Sequence, residues 1–78
     1  MDGTWNGFRI SNVFAMKLDP HRKALRVFGS PSPELERQFS PKSHASVKVS
    51  TYEFEGTVVG YDPAAPPGFY EVTIATKA

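Results

Sequence analysis

The sequence predicts a mainly β protein: a small antiparallel barrel or strongly bent sheet of five to six strands, with one short helix around residues 33–39. Three observations carry this. Apolar residues recur at every second position, as in Phe8 and Ile10, Leu25 and Val27, and Tyr70, Val72 and Ile74, the period of strands with one buried face. Turn chemistry separates the runs at Asn6-Gly7, in the stretch from Asp19 to Lys23, and from Gly60 to Gly68. The chain of 78 residues makes one domain, 1–78, which buries only about 60% of its unfolded surface and has room for one small core.

Taken in order, Asn6-Gly7 suits a two-residue turn that folds a short amino-terminal strand back on itself. Phe14, Met16 and Leu18 then alternate, followed by Leu25 and Val27. Setting Leu18 against Leu25 and Met16 against Val27 makes a hairpin whose outer face carries Lys17 opposite Arg26. Residues 29–45 break the β period but hold one helical signal: Ser32 as cap, Pro33 at the first position, and Glu34 and Glu36 in the first turn. Leu35 and Phe39, four apart, share a face that pins this helix over one end of the sheet, and Ser40-Pro41 stops it.

The last two strands are less regular. Val47 and Val49 are apolar at odd positions, whereas Tyr52, Phe54 and Val58 are apolar at even ones, so a bulge or sharp bend is expected near Ser50-Thr51. The final run puts Tyr70, Val72 and Ile74 inward and Glu71, Thr73 and Ala75 outward. Little chain follows to cover that strand, which points to a homodimer formed through residues 70–76. Tyr61 and Phe69 fall out of phase with the inward set, Tyr61 on the same odd phase as Glu53 and Glu55.

Val47-Lys48-Val49, a short turn, Glu55 to Asp62 and then Phe69 to Ile74 resemble the strand order of SH3-like small β-barrels. The stretch GTVVGY, residues 56–61, is similar to the central strand of the type II dihydrofolate reductase family, whose barrels assemble as a tetramer around one shared active pore. The resemblance implies a compact small barrel or bent sheet. It implies no reductase residue, because the Val-Gln-Ile-Tyr stretch that carries that family's substrate and cofactor contacts has no counterpart before Thr76-Lys77-Ala78.

Composition narrows the chemistry. There is no cysteine, which removes disulfides and thiolate chemistry and fits a cytoplasmic, reducing compartment. No signal or membrane-spanning run is apparent. His21 and His44 stand apart and suggest no metal site. The neighbours Ser43, His44 and Ser46 set serine and histidine side by side in sequence, which does not make a catalytic triad in space. Glu53 and Glu55, about 7 Å apart along one strand face, have a spacing found in inverting glycosidases, with no recognisable pocket wall. The prolines of GSPSP, residues 29–33, exclude a phosphate-cradling loop. APPGFY, residues 65–70, approaches a Pro-Pro-x-Tyr ligand but places Phe69 where tyrosine is needed, and the Ser-Pro pairs at Ser30, Ser32 and Ser40 read as caps and loop punctuation. No cofactor is expected.

Charge supplies the functional expectation. Nine basic and eight acidic side chains leave a net +1, but Lys17, Arg22, Lys23 and Arg26 crowd one hairpin while Glu53, Glu55, Asp62 and Glu71 occupy another. The first reading is a non-enzymatic protein-binding module, such as an adaptor, an assembly subunit or a small inhibitor of the kind phages and mobile elements encode. It would bind a protein through the acidic, aromatic set Glu53, Glu55, Tyr61, Asp62, Phe69 and Glu71. The alternative is nucleic-acid binding through Lys17, Arg22, Lys23 and Arg26, with Trp5 or Phe8 as stacking platforms. A third is an enzyme whose site forms only at an oligomer interface.

Overall fold

The computed structural model describes residues 2–50, 52–64 and 67–76. Its strands are β1 (Gly3–Trp5), β2 (Phe8–Ile10), β3 (Val13–Asp19), β4 (Arg22–Phe28), β5 (His44–Val49), β6 (Tyr52–Asp62) and β7 (Phe69–Thr76). Between β4 and β5 lie helix α1 (Pro33–Glu36) and a 3-10 turn (Arg37–Phe39). All pairings are antiparallel, in one unclosed sheet of order β2-β1-β5-β6-β7-β4-β3. The expected bent sheet with one short helix is what forms. The described strands number seven rather than five to six, because Asn6 and Gly7, at φ 47° and 88°, reverse the chain tightly enough to split the amino-terminal segment into two three-residue strands.

The sheet curls until β3 and β5, which have three other strands between them in the sheet order, come into contact. Two features of β6 explain the curl. Gly56 lies so close to β7 that a Cβ there would sit 2.1 Å from the Ala75 carbonyl oxygen, an approach only glycine permits. Val59 is then bulged out, since Val58 pairs with Ile74 and Gly60 with Thr73. The concave face gathers the core: Trp5, Ile10, Val13, Leu25, Val27, Val47, Val49, Val58, Tyr70, Val72 and Ile74 are all buried.

Helix α1 follows its sequence signal closely. Ser32 Oγ accepts a hydrogen bond from Leu35 N at 3.3 Å, Pro33 stands in the first turn, and Ser40 ends the 3-10 turn. Leu35 and Phe39 are buried over one end of the sheet. There Phe39 meets Trp5 edge to face at 5.0 Å and lies 5.1 Å from Tyr61 and 5.6 Å from Tyr70.

Three expectations are corrected and one is narrowed to one of its alternatives. First, β3 pairs with β4 in a different register: Val13 faces Val27, Ala15 faces Leu25, and Lys17 faces Lys23. The displacement from the expected register is an odd number of residues, which turns the strand over. Val13 and Ala15 therefore point to the core while Phe14 and Leu18 are 54% and 48% exposed. Second, of the bulge or sharp bend expected near Ser50-Thr51 it is the bend that forms, a chain reversal in which Val49 pairs directly with Tyr52 and Ser50 has φ 55°; Thr51 itself lies outside the described residues. Third, Phe8 and Tyr52, expected inside, are 39% and 60% exposed. Their partners Trp5 and Val49 are on the core side, but Phe8 is on an edge strand and Tyr52 at a strand end, where nothing covers them. Fourth, β7 is not an edge: it is bonded to β6 on one side and β4 on the other, so it has no free backbone with which to pair a second copy.

Candidate functional site

The register brings residues of both charged hairpins into one patch on the outer, convex face. Phe14 stands beside Arg26, Arg26 beside Glu71, and Glu71 beside Asp62, with Phe28 beside Phe69 in the next row. The Phe28 and Phe69 rings meet edge to face, centroids 5.2 Å apart and planes at 83°. Phe28 is 60% exposed, so this aromatic pair stands at the surface rather than in the core. Arg26 Nη2 lies 3.7 Å from Glu71 Oε2, and Asp62 Oδ1 accepts a hydrogen bond from Ala64 N at 3.0 Å, which stiffens the start of the proline loop. Ala65 and Pro66, within that loop, lie outside the described residues.

The six acidic-hairpin residues separate. The bulge at Val59 restores Asp62 to the same face as Glu53 and Glu55 but carries Tyr61 to the opposite one, where it pairs with Val72 and packs against the core. The odd phase of Tyr61 therefore does not place it beside the glutamates. Its hydroxyl donates to Glu36 Oε2 at 2.8 Å, tying β6 to helix α1. Burial, then the hydrogen bond and charge of Glu36, push the Tyr61 hydroxyl up to about 12, and burial also raises that of Tyr70.

Glu53 and Glu55 line an open groove of about 790 Å³ at the Gly56 bend, together with Phe54 and, from β5, His44 and Ser46. The groove was not legible in the sequence because it is made by the curl of the sheet. The His44 imidazole turns to Glu55, Nε2 to Oε2 at 3.6 Å, rather than toward Ser43 or Ser46. Both His44 and Glu55 are largely solvated, with side chains 66% and 70% exposed. Among the described residues no group of three or more His, Asp or Glu side chains is placed to hold a metal ion.

The four basic residues are not gathered. Arg26 faces outward against Glu71. Lys17 and Lys23 face one another on the concave side, with the Lys23 ammonium 5.4 Å from the centre of the Phe54 ring. Arg22, at the start of β4, is held by Asp19 at 2.7 Å; that contact and the bond from His21 N keep the Asp19 carboxyl below its ordinary range. Trp5, expected as a stacking platform, is 1% exposed and unable to meet a base; Phe8 remains accessible.

Two residues of the patch were missed in the sequence. Phe14 shares the apolar alternation of Met16 and Leu18, and only the register of β3 on β4 turns it outward. Phe28 carried a usable signal, for it is out of phase with Leu25 and Val27 just as Phe69 is with Tyr70 and Val72, and two out-of-phase aromatics at adjoining strand ends are candidates to meet. No helix among the described residues is long and apolar enough to cross a membrane. Comparison with family models, curated proteins and solved structures returns no match, so function is argued from geometry alone.

Proposed function

We propose that this protein is a non-enzymatic protein-binding module that engages its partner through the convex face centred on Phe28 and Phe69. The observation that carries the reading is the edge-to-face pair itself, an exposed Phe28 braced on a partly buried Phe69. Folding leaves Phe28 60% exposed and Phe69 partly buried beneath it, and burying what remains would contribute about 25 cal/mol per Å² on association. Each ring braces the other, so little rotamer freedom is left to lose, the property that makes aromatics effective interface anchors. Arg26 and Glu71 flank the pair, while Asp62, Glu55 and Glu53 follow along the same face of β6. A partner surface with an apolar recess beside basic side chains is complementary.

The SH3-like likeness belongs to the same proposal: a small bent antiparallel sheet working as a rigid platform for protein contacts. What supports it is the corner at Gly56 and the bulge at Val59, which curl a single sheet around its own core. The test is affinity capture from the native host with wild-type protein beside Phe28→Ala and Phe69→Ala, followed by titration of the purified partner. Specific capture lost in both variants, with folding retained, is the expected result. Capture that both variants retain undiminished would overturn the choice of surface.

A further inference from the structure

The sheet has a free edge at β3. Strand β3 ends the sheet, and no backbone hydrogen bond joins its outer edge to any described residue. The bond from Phe28 N to Asn12 O, 3.2 Å, extends the β3–β4 ladder by one pair and sets its alternation. By that alternation the backbone groups of Phe14 and Met16 turn toward β4 and those of Val13, Ala15 and Lys17 away from it; Val13 is covered, at 0% exposure, so the edge is open at Ala15 and Lys17. The side chains alternate too: Phe14, Met16 and Leu18 lie on the convex face, with Phe14 and Leu18 about half exposed.

We infer that β3 pairs with β3 of a second copy, antiparallel, about a two-fold axis at Met16. A two-fold contact demands a surface complementary to itself, and the spacing of Phe14, Met16 and Leu18 meets that demand. With Met16 opposite its own copy, Phe14 faces Leu18 of the second chain and Leu18 faces Phe14. Ala15 then faces Lys17, so the outward-turned backbone groups exchange hydrogen bonds. The apolar residues occupy the non-hydrogen-bonded positions, where side chains approach most closely. The neighbouring register, centred on Ala15, satisfies the same backbone groups but leaves Leu18 without an apolar partner.

The dimer is a weak one. A seven-residue strand about 24 Å long and about 10 Å thick covers on the order of 500 Å² over both copies, against about 1,200–2,000 Å² in a stable interface. Two features weaken it further. The ladder shifts between Lys17 and Asp19, a bulge of the kind that limits edge pairing. Lys17 also lies on a diagonal from its own copy, about 7–8 Å away. Removing that like charge with Lys17→Ala strengthens association, as does added salt.

Site-specific crosslinking tests the register directly, since the chain has no cysteine of its own. In Met16→Cys the two introduced thiols fall on the axis, with Cα atoms about 4.5 Å apart, within disulfide reach. In Ala15→Cys they lie on a diagonal at about 7–8 Å, beyond it. The expected result is a covalent dimer from Met16→Cys under mild oxidation and little from Ala15→Cys. Adding Ala15→Pro to Met16→Cys abolishes the crosslink while leaving the melting temperature nearly unchanged, because the amide it removes points to open solvent in the single chain. Failure of Met16→Cys to crosslink at about 1 mM, where an association of about −4 kcal/mol is half complete, overturns the inference. So does equal crosslinking at positions 15 and 16. Positions 15 and 16 are outside the Phe28–Phe69 pair, so this outcome is separable from that of the proposed binding face.

Discussion

Substituting Gly56 by alanine probes the feature that shapes the whole sheet. The added Cβ would lie 2.1 Å from the Ala75 carbonyl oxygen and 2.8 Å from Ile74 Cγ2. An ordinary carbon–oxygen contact is about 3.3 Å or more, so β6 and β7 must separate by about 1 Å. They cannot do so freely, because the same two strands are laddered at Gly56–Thr76, Thr57–Ala75 and Val58–Ile74. Overpacking of this kind costs about 1–3 kcal/mol, partly offset by about 0.4–1 kcal/mol from the stiffer unfolded chain. A net loss of about 1 kcal/mol lowers the melting temperature by roughly 4–8 °C in a domain of this size. Gly60→Ala is the internal control: its nearest new contact is Thr73 Cβ at 3.7 Å, an ordinary distance, so it should be neutral or slightly stabilising. Thermal unfolding followed by circular dichroism compares the two. Equal melting of Gly56→Ala and wild type would refute the claim that this close approach bends the sheet.

Other substitutions test separate parts of the account. Leu25→Ala should cost about 2–5 kcal/mol and leave the domain marginal or unfolded, whereas Leu18→Ala should change stability by about 0.5 kcal/mol or less; equal losses in denaturant unfolding would restore the register in which the two face each other. Ser32→Ala should cost about 1 kcal/mol through the lost helix cap, read as a lower denaturation midpoint at unchanged slope. Tyr61, with its hydroxyl raised to about 12 from an unfolded value near 10, binds its proton more tightly when folded. Its contribution is complete below about pH 10 and is lost as pH rises toward about 12, so Tyr61→Phe should flatten the alkaline fall in stability across that window; an unchanged slope would show that Tyr61 is not held in its buried position against Glu36 in solution.

Much of the fold was legible because its signals are local. The cap at Ser32, the proline at the first helical position and the Leu35–Phe39 spacing act within a few residues, and the helix forms there. The final strand alternates without interruption and is buried as its pattern indicates. What failed was relational. The register of β3 on β4 rests on a turn that admits several alignments, and an odd displacement reverses every side chain. Phe14, Met16 and Leu18 offered as good an apolar stripe as Val13 and Ala15, and a larger one. The position of β7 within the sheet follows from long-range pairing with β4, which no local pattern contains. At the candidate site, Phe69, Asp62 and Glu71 could be singled out by phase and charge, but their union with Phe28, Arg26 and Phe14 required that same pairing.

The central claim is that the Phe28–Phe69 pair binds a protein partner, and the most direct measurement is titration calorimetry of the captured, purified partner against wild type, Phe69→Ala and Phe28→Ala. Phe28 is 60% exposed and Phe69 partly buried, so truncation should change folding stability by about 0.5–1 kcal/mol at Phe28 and about 1–3 kcal/mol at Phe69, while weakening binding by about 2 kcal/mol or more at either, roughly a 30-fold rise in Kd. A partner that binds both variants with wild-type affinity, each still folded, would contradict the account and move the interface elsewhere on the molecule.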